Sequence, residues 1–193
     1  MQNHPWQPIF FKNTKKILVG TLPPKSSPFY FSNSVNTRLW DLLVSIERNL
    51  ENVIKNSNKL SDAEKRKVLE KLNLGIMDII WGFERDQEDS TKDKHIDPKE
   101  YKNILELLKG TDVNEILFVY KIAAKWFLHS LTGEAPLRVS RLKKYKIENG
   151  TFHEMVVGNR KVKFTLLPSP INRAKKGETL NKRLEVYKKH IKD

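Results

Sequence analysis

The chain has 193 residues and a formal net charge of +13, set by 36 Lys and Arg against 23 Asp and Glu. With 38% hydrophobic and 31% charged residues it reads as one soluble domain over residues 1–193, large enough for a continuous core. No cysteine is present, which excludes disulfides and thiolate-held metals or clusters, and no apolar run approaches the roughly 20 residues that span a bilayer.

The opening MQNHPWQPIFF lacks the basic-then-apolar order of a secretory signal, so a cytoplasmic address is expected, or a nuclear one in a nucleated cell. Residues 17–20, ILVG, read as a buried strand that runs into a loop over residues 21–33 rich in Pro and Ser. Leu39, Leu42, Leu43, Ile46 and Leu50 recur at helical spacing across residues 36–50. Ser61 with Glu64 is a capping-box signature for a helix to about Leu72. The apolar stretch 75–83, GIMDIIWGF, fits no single assignment, and the polar residues 84–97 read as a long surface loop. Asp97-Pro98 with Glu100 predicts a helix that Gly110 ends, because Pro is preorganised for a first helical turn.

Residues 113–120 are a second buried strand, followed by a helix through Ala123, Ala124, Phe127 and Leu131. Asn149-Gly150 and Gly158-Asn159 are hairpin-turn pairs flanking further strands. Residues 177–191 close as a helix with Leu180, Leu184, Tyr187 and Ile191 inward and Lys182, Arg183, Lys188, Lys189 and Lys192 on its other face. Ungapped apolar strands alternating with helices predict an α/β fold, a three-layer α/β/α sandwich around a mostly parallel sheet. Binding sites in such sheets form beyond the carboxyl ends of the strands, where the loops at residues 21–33 and 168–176 would both open.

Charge is unevenly placed. Residues 138–193 carry 16 Lys and Arg against 5 Asp and Glu, and a basic face of this kind attracts phosphate backbones. The five histidines, His4, His95, His129, His153 and His190, show no ligand spacing, so metal chemistry is not expected of them, with carboxylate-bound magnesium left open, and no cofactor is expected.

Within the first loop, residues 20–24 read GTLPP, a stiff turn that lets the backbone approach a ligand closely. Phe29, Tyr30 and Phe31 follow; three adjacent aromatics suit either a satellite hydrophobic cluster or a face for a flat heterocycle. Asn36 precedes the helix bearing Trp40, as an N-cap or as a group that holds water or reads a base edge. The distal loop, PSPINRAKK, joins Ser169, Pro170 and Asn172 to the cations Arg173, Lys175 and Lys176. It is either an ordinary turn or a rigid phosphate grip.

Taken together, these loops resemble the two active-site motifs of the uracil-DNA glycosylase superfamily, with the hypoxanthine-DNA glycosylase branch the most similar and the mismatch-specific uracil glycosylases more distant. The residues carrying the likeness are Gly20-Thr21-Leu22-Pro23-Pro24, Phe29 to Phe31, Asn36 before Leu39-Trp40, the stretch 75–96 with Asp78, Arg85 and Asp89, and Ser169-Pro170-Ile171-Asn172. Departures are Leu22 at the superfamily's water-orienting Asp or Asn, Pro24 for a glycine, and Tyr120-Lys121 for Asn-Gly. The spacing N-T-R-L-W also leaves Thr37 competing with Asn36.

The resemblance implies hydrolysis of the N-glycosidic bond of a flipped, deaminated base, uracil or hypoxanthine, in DNA. Catalytic work would fall to Asn36, Asp78 and Asp89. The base would contact Thr21, Leu22, Phe29, Tyr30, Phe31 and Asn172. DNA would be gripped by Pro23, Pro24, Ser169, Pro170, Arg173, Lys175 and Lys176, with damaged or mispaired DNA as partner and no membrane or obligate protein partner. The rival readings are a non-catalytic nucleic-acid binder of the same fold and an enzyme acting on a free nucleotide or other phosphorylated small molecule.

Overall fold

A strand buried on both faces must lie inside a sheet, and the KILVG run does so. The computed structural model describes residues 1–32, 37–87, 90, 92–171 and 179–192. Its strands are β1 (Gln2–Asn3), β2 (Lys16–Gly20), β3 (Leu74–Asp78), β4 (Ile80–Arg85), β5 (Ile96–Tyr101), β6 (Glu115–Phe118), β7 (Gly150–Val157) and β8 (Arg160–Leu166). The helices are α1 (Leu39–Glu47), α2 (Asp62–Lys71), α3 (Ile104–Leu108), α4 (Lys121–Ser130) and α5 (Leu180–Lys192), with short 3₁₀ turns at Ser57–Lys59, Asp93–His95 and Val139–Lys144.

The main sheet runs β3-β2-β6-β8-β7, parallel except for β7, which returns antiparallel on β8 through the Gly158-Asn159 turn. Side chains alternate between its faces. Ile17, Val19, Ile116 and Phe118 pack with α3 and α4, while Leu18 and Leu117 pack with Leu39, Leu42 and Leu43 of α1 and Leu184 and Tyr187 of α5. The result is the expected three-layer α/β arrangement. Register is level at the carboxyl edge: Gly20 pairs with Asp78, Val19 with Phe118, and Phe118 with Leu166.

A second, antiparallel sheet of order β1-β4-β5 was outside the sequence reading. The apolar stretch 75–83 is two strands, β3 and the start of β4, split at Ile79, whose N–H bonds the Gly20 carbonyl at 3.1 Å. The helix expected from Pro98 is absent, because residues 96–101 are β5, and the long loop expected over 84–97 is correspondingly shortened at both ends. Pro98 has no N–H to donate, and β5 is an outer strand, where that loss costs nothing in the ladder. The helix begins only at Ile104, capped by Asn103, whose side chain accepts the Glu106 N–H at 3.1 Å. The capping box at Ser61 forms as expected and starts α2.

One further expectation is corrected. Arg183 does not belong to the exposed cationic face of α5: it is 4% exposed, and its Nη1 donates to the carbonyls of Ser169 at 2.8 Å and Ile171 at 2.6 Å. One turn on, the buried Tyr187 hydroxyl donates to the Pro168 carbonyl at 2.9 Å. The last helix therefore fastens the distal loop to the sheet. Tyr187→Phe keeps the ring but leaves that buried carbonyl unpaired, so urea unfolding should show a loss of about 1–3 kcal/mol.

Candidate active site at the carboxyl ends of the strands

Both loops singled out in the sequence leave the same edge of the sheet, and they meet. Thr37 and Ile171 form an antiparallel bridge, and the Arg38 N–H donates to the Pro170 carbonyl at 2.8 Å. The first loop is braced from beneath by Arg85, which donates to the Pro23 carbonyl and to the Ser90 carbonyl, each at 2.7 Å. Ser27 N–H closes a turn onto the Pro24 carbonyl at 3.0 Å.

Gly20 is the point where the groups converge. A Cβ built there would fall 2.2 Å from Asp78 Oδ1 and 2.5 Å from Phe31 Cζ, so glycine is required for carboxylate and ring to pack over the strand end. Phe31 adopts φ 55°, a left-handed conformation disfavoured for a bulky residue, and its ring lies 5.9 Å from that of Tyr120. Tyr120 follows β6; its hydroxyl is 3.4 Å from Thr37 Oγ1, and burial pushes its pKa up to about 12, with Asp93 and Asp78 adding to the effect.

Asp78 is buried and paired. The Trp6 N–H donates to His4 Nδ1 at 3.1 Å, which leaves the proton on Nε2, and Nε2 donates to Asp78 Oδ2 at 3.0 Å. The Trp6 carbonyl lies 2.8 Å from the same Nδ1. His4 is held between Tyr30, stacked at 5.7 Å, and the edge of Trp6 at 5.7 Å. This leaves Asp78 Oδ1 directed at Gly20 and Phe31.

A second carboxylate arrives from the turn Asp93–His95. Burial pushes Asp93 up to about 6; the Asp78 charge adds to this, while a hydrogen bond from Thr21 and the charge of Arg85 oppose it. Nearby, Lys102 Nζ sits 3.5 Å from the centre of the Trp81 ring, and burial draws its ammonium down to about 8 against the pull of Asp78 and Glu100. Among the described residues no group of three His, Asp or Glu could hold a metal ion.

The sequence-selected residues divide. Thr21, Leu22, Pro23, Phe31, Asp78 and Pro170 lie at or beside this convergence, while Pro24 is half-buried and Ser169 exposed along its loops. Phe29 and Tyr30 are core residues, 3% and 0% exposed, packed with Trp40, whose Nε1 donates to the Tyr30 carbonyl at 2.8 Å. No face of either is open to a ligand, so of the aromatic triplet only Phe31 remains available for stacking. Asn36, Asp89, Asn172, Arg173, Lys175 and Lys176 lie outside the described residues. His4 and Asp93 were missed. His4 carries no local pattern, and Asp93 is one acid among several in a polar stretch until the fold carries it to Thr21.

A cavity of about 440 Å³ between β5, α3 and α4 is lined by Lys102 but not by Gly20, Phe31, Asp78 or Asp93.

No family model matches the chain, and no curated protein matches its sequence. A solved structure does match in fold: the solution NMR structure of a "putative Uracil DNA glycosylase" from Methanosarcina acetivorans, with a TM-score of 0.62, covering 99% of each chain at 16% identity. At that identity the likeness is one of architecture, the mostly parallel sheet between helical layers.

Removing His4 leaves the Asp78 charge buried without its partner. His4→Ala should therefore cost about 3–5 kcal/mol in urea unfolding, and adding Asp78→Ala should restore part of the loss, so that the double mutant loses less than the sum of the two single changes.

Proposed function

We propose that the protein is a DNA glycosylase that hydrolyses the N-glycosidic bond of a flipped, deaminated base, uracil or hypoxanthine. The observation that carries this reading is the meeting of the two loops, through Thr37 and Ile171, over a buried carboxylate at the strand ends. The fold shared with a protein named for uracil DNA glycosylase agrees with it.

In this reading the extruded base lies against Phe31, with its polar edge toward the backbone of Thr21 and Leu22 and toward Asn172. Extrusion costs a few kcal/mol, least for a mispaired base, which favours damaged sites. As the C–N bond breaks, positive charge grows on the sugar and negative charge on the departing base. Asp78, fixed by His4, stabilises the sugar charge and takes the proton of the attacking water, which Asn36 orients as in the resembled family; Asp89 is the other carboxylate that the resemblance would place here. The base departs as an anion or takes a proton from Asp93. Pro23, Pro24, Ser169, Pro170, Arg173, Lys175 and Lys176 hold the DNA backbone.

The test is direct. Duplexes carrying uracil, hypoxanthine, xanthine or mismatched thymine are incubated with excess protein and assayed for abasic sites. Release of at least one base is expected, and Asp78→Asn should slow the single-turnover rate by about 10²-fold or more with duplex affinity retained. Salt-dependent binding with no base released would instead select the non-catalytic reading.

The raised pKa of Asp93 gives a sign. Below about pH 6 its carboxyl is protonated and can donate; above that it is an anion and the donor is lost. For a base that leaves with a proton from Asp93, the rate should fall as pH rises through about 6, and Asp93→Asn should flatten that limb of the profile.

A further inference from the structure

We infer that the exposed cations of the segment 141–146 form a phosphate-binding strip for duplex DNA, on the opposite face of the sheet from the distal loop. This rests on the reading above and adds a second bank to the site it describes.

Arg141, Lys143, Lys144 and Lys146 are all exposed, and among the described residues none has an acidic partner. Their neighbours are different. Arg138, just before the strip, is committed to Asp86 at 2.9 Å and Asp97 at 3.0 Å. Four unneutralised cations in six residues repel one another, and a polyanion that displaces their counterions relieves that repulsion.

The strip is rigidly mounted. Leu142 and Ile147 are buried in the core that faces α4, and Lys125 Nζ donates to the Leu142 carbonyl at 3.3 Å. The Tyr145 hydroxyl is 3.1 Å from His129 Nδ1. Cations presented from a fixed backbone lose less entropy on binding. Because the apolar side chains of the segment point inward, it offers no apolar face to insert into a lipid surface, and charge is all it presents.

Its place in the fold connects it to the site. The 3₁₀ turn Val139–Lys144 packs on α4, which begins directly after Tyr120, and on the turn Asp93–His95 that carries the second carboxylate. Leu142 and Ile147 belong to the core on one face of the main sheet, whereas Leu167 and Tyr187, which anchor the distal loop, belong to the core on the other. A duplex lying across the carboxyl edge meets the distal loop on one side and the strip on the other, with the extruded nucleotide entering between them.

The experiment compares two triple variants on an undamaged 25-base-pair fluorescent duplex, titrated over a range of salt. Lys143→Gln/Lys144→Gln/Lys146→Gln removes three charges from the strip. Lys15→Gln/Lys109→Gln/Lys161→Gln removes three from outside it, and thermal melts confirm that both fold. The strip variant should lower the slope of log affinity against log salt by about 0.9 per lost contact, and weaken binding at least tenfold at low salt. The other variant should change neither by as much. Equal losses in the two would reduce the effect to net charge, and an unchanged slope would remove the strip altogether; either outcome overturns the inference. Binding to undamaged DNA requires no catalysis, so base release by a protein with a strip-independent slope sinks only the strip. Strip-dependent binding without base release sinks only the catalytic reading.

Discussion

A carboxylate cannot stay charged out of water unless something compensates it, and Asp78 is 3% exposed. Much of the edge around it can be understood as the means of keeping that charge in place. His4 supplies the hydrogen bond, and β1 holds His4 there by pairing Gln2 and Asn3 with β4. Gly20 supplies the space, since any side chain at that position would collide with the carboxylate. Level register between β2 and β3 sets Gly20 and Asp78 side by side, so the parallel sheet and the buried acid are parts of one arrangement.

Around that acid the first loop is organised from below rather than from within. Phe29 and Tyr30 are anchors: they fill the core beside Trp40, with Lys65 Nζ lying 5.9 Å and 5.7 Å from the Phe29 and Trp40 rings and donating to Ser32 Oγ at 2.9 Å. With its neighbours fixed, Phe31 is held at positive φ beside the strand end, a strained conformation that the surrounding packing over-determines. The distal loop is treated likewise by Arg183 and Tyr187. The described parts of both loops, up to Ser32 and up to Ile171, are therefore held in place before any ligand enters.

How much of this was legible depended on whether the cause was local. The capping box at Ser61, the buried strands expected at residues 17–20 and within 113–120, the Gly158-Asn159 hairpin and the inward stripe of α5 each follow from a few neighbouring residues, and each was readable. Pro98 misled because the same Asp-Pro pair that opens a helix also fits an outer strand, and only the partner strand decides between them. The two chain segments of the site could be named from their motifs, but not the internal division of labour. Nothing local distinguishes the buried Phe29 and Tyr30 from Phe31, and the pairing of His4 with Asp78 spans 74 residues. Arg183 was read as a surface cation because helical periodicity cannot register a carbonyl in a loop that folds back over it.

The span between His4 and Asp78 has a consequence for the rate of folding. Their hydrogen bond joins residues 74 apart, and a contact that distant in sequence is slow to be found by an unfolded chain. The parallel pairings of β2 with β3 and β6 are non-local as well, so the topology that seats the carboxylate is also one that folds slowly. The stability of this edge and the speed of reaching it are thus set against each other by the same long-range pairings.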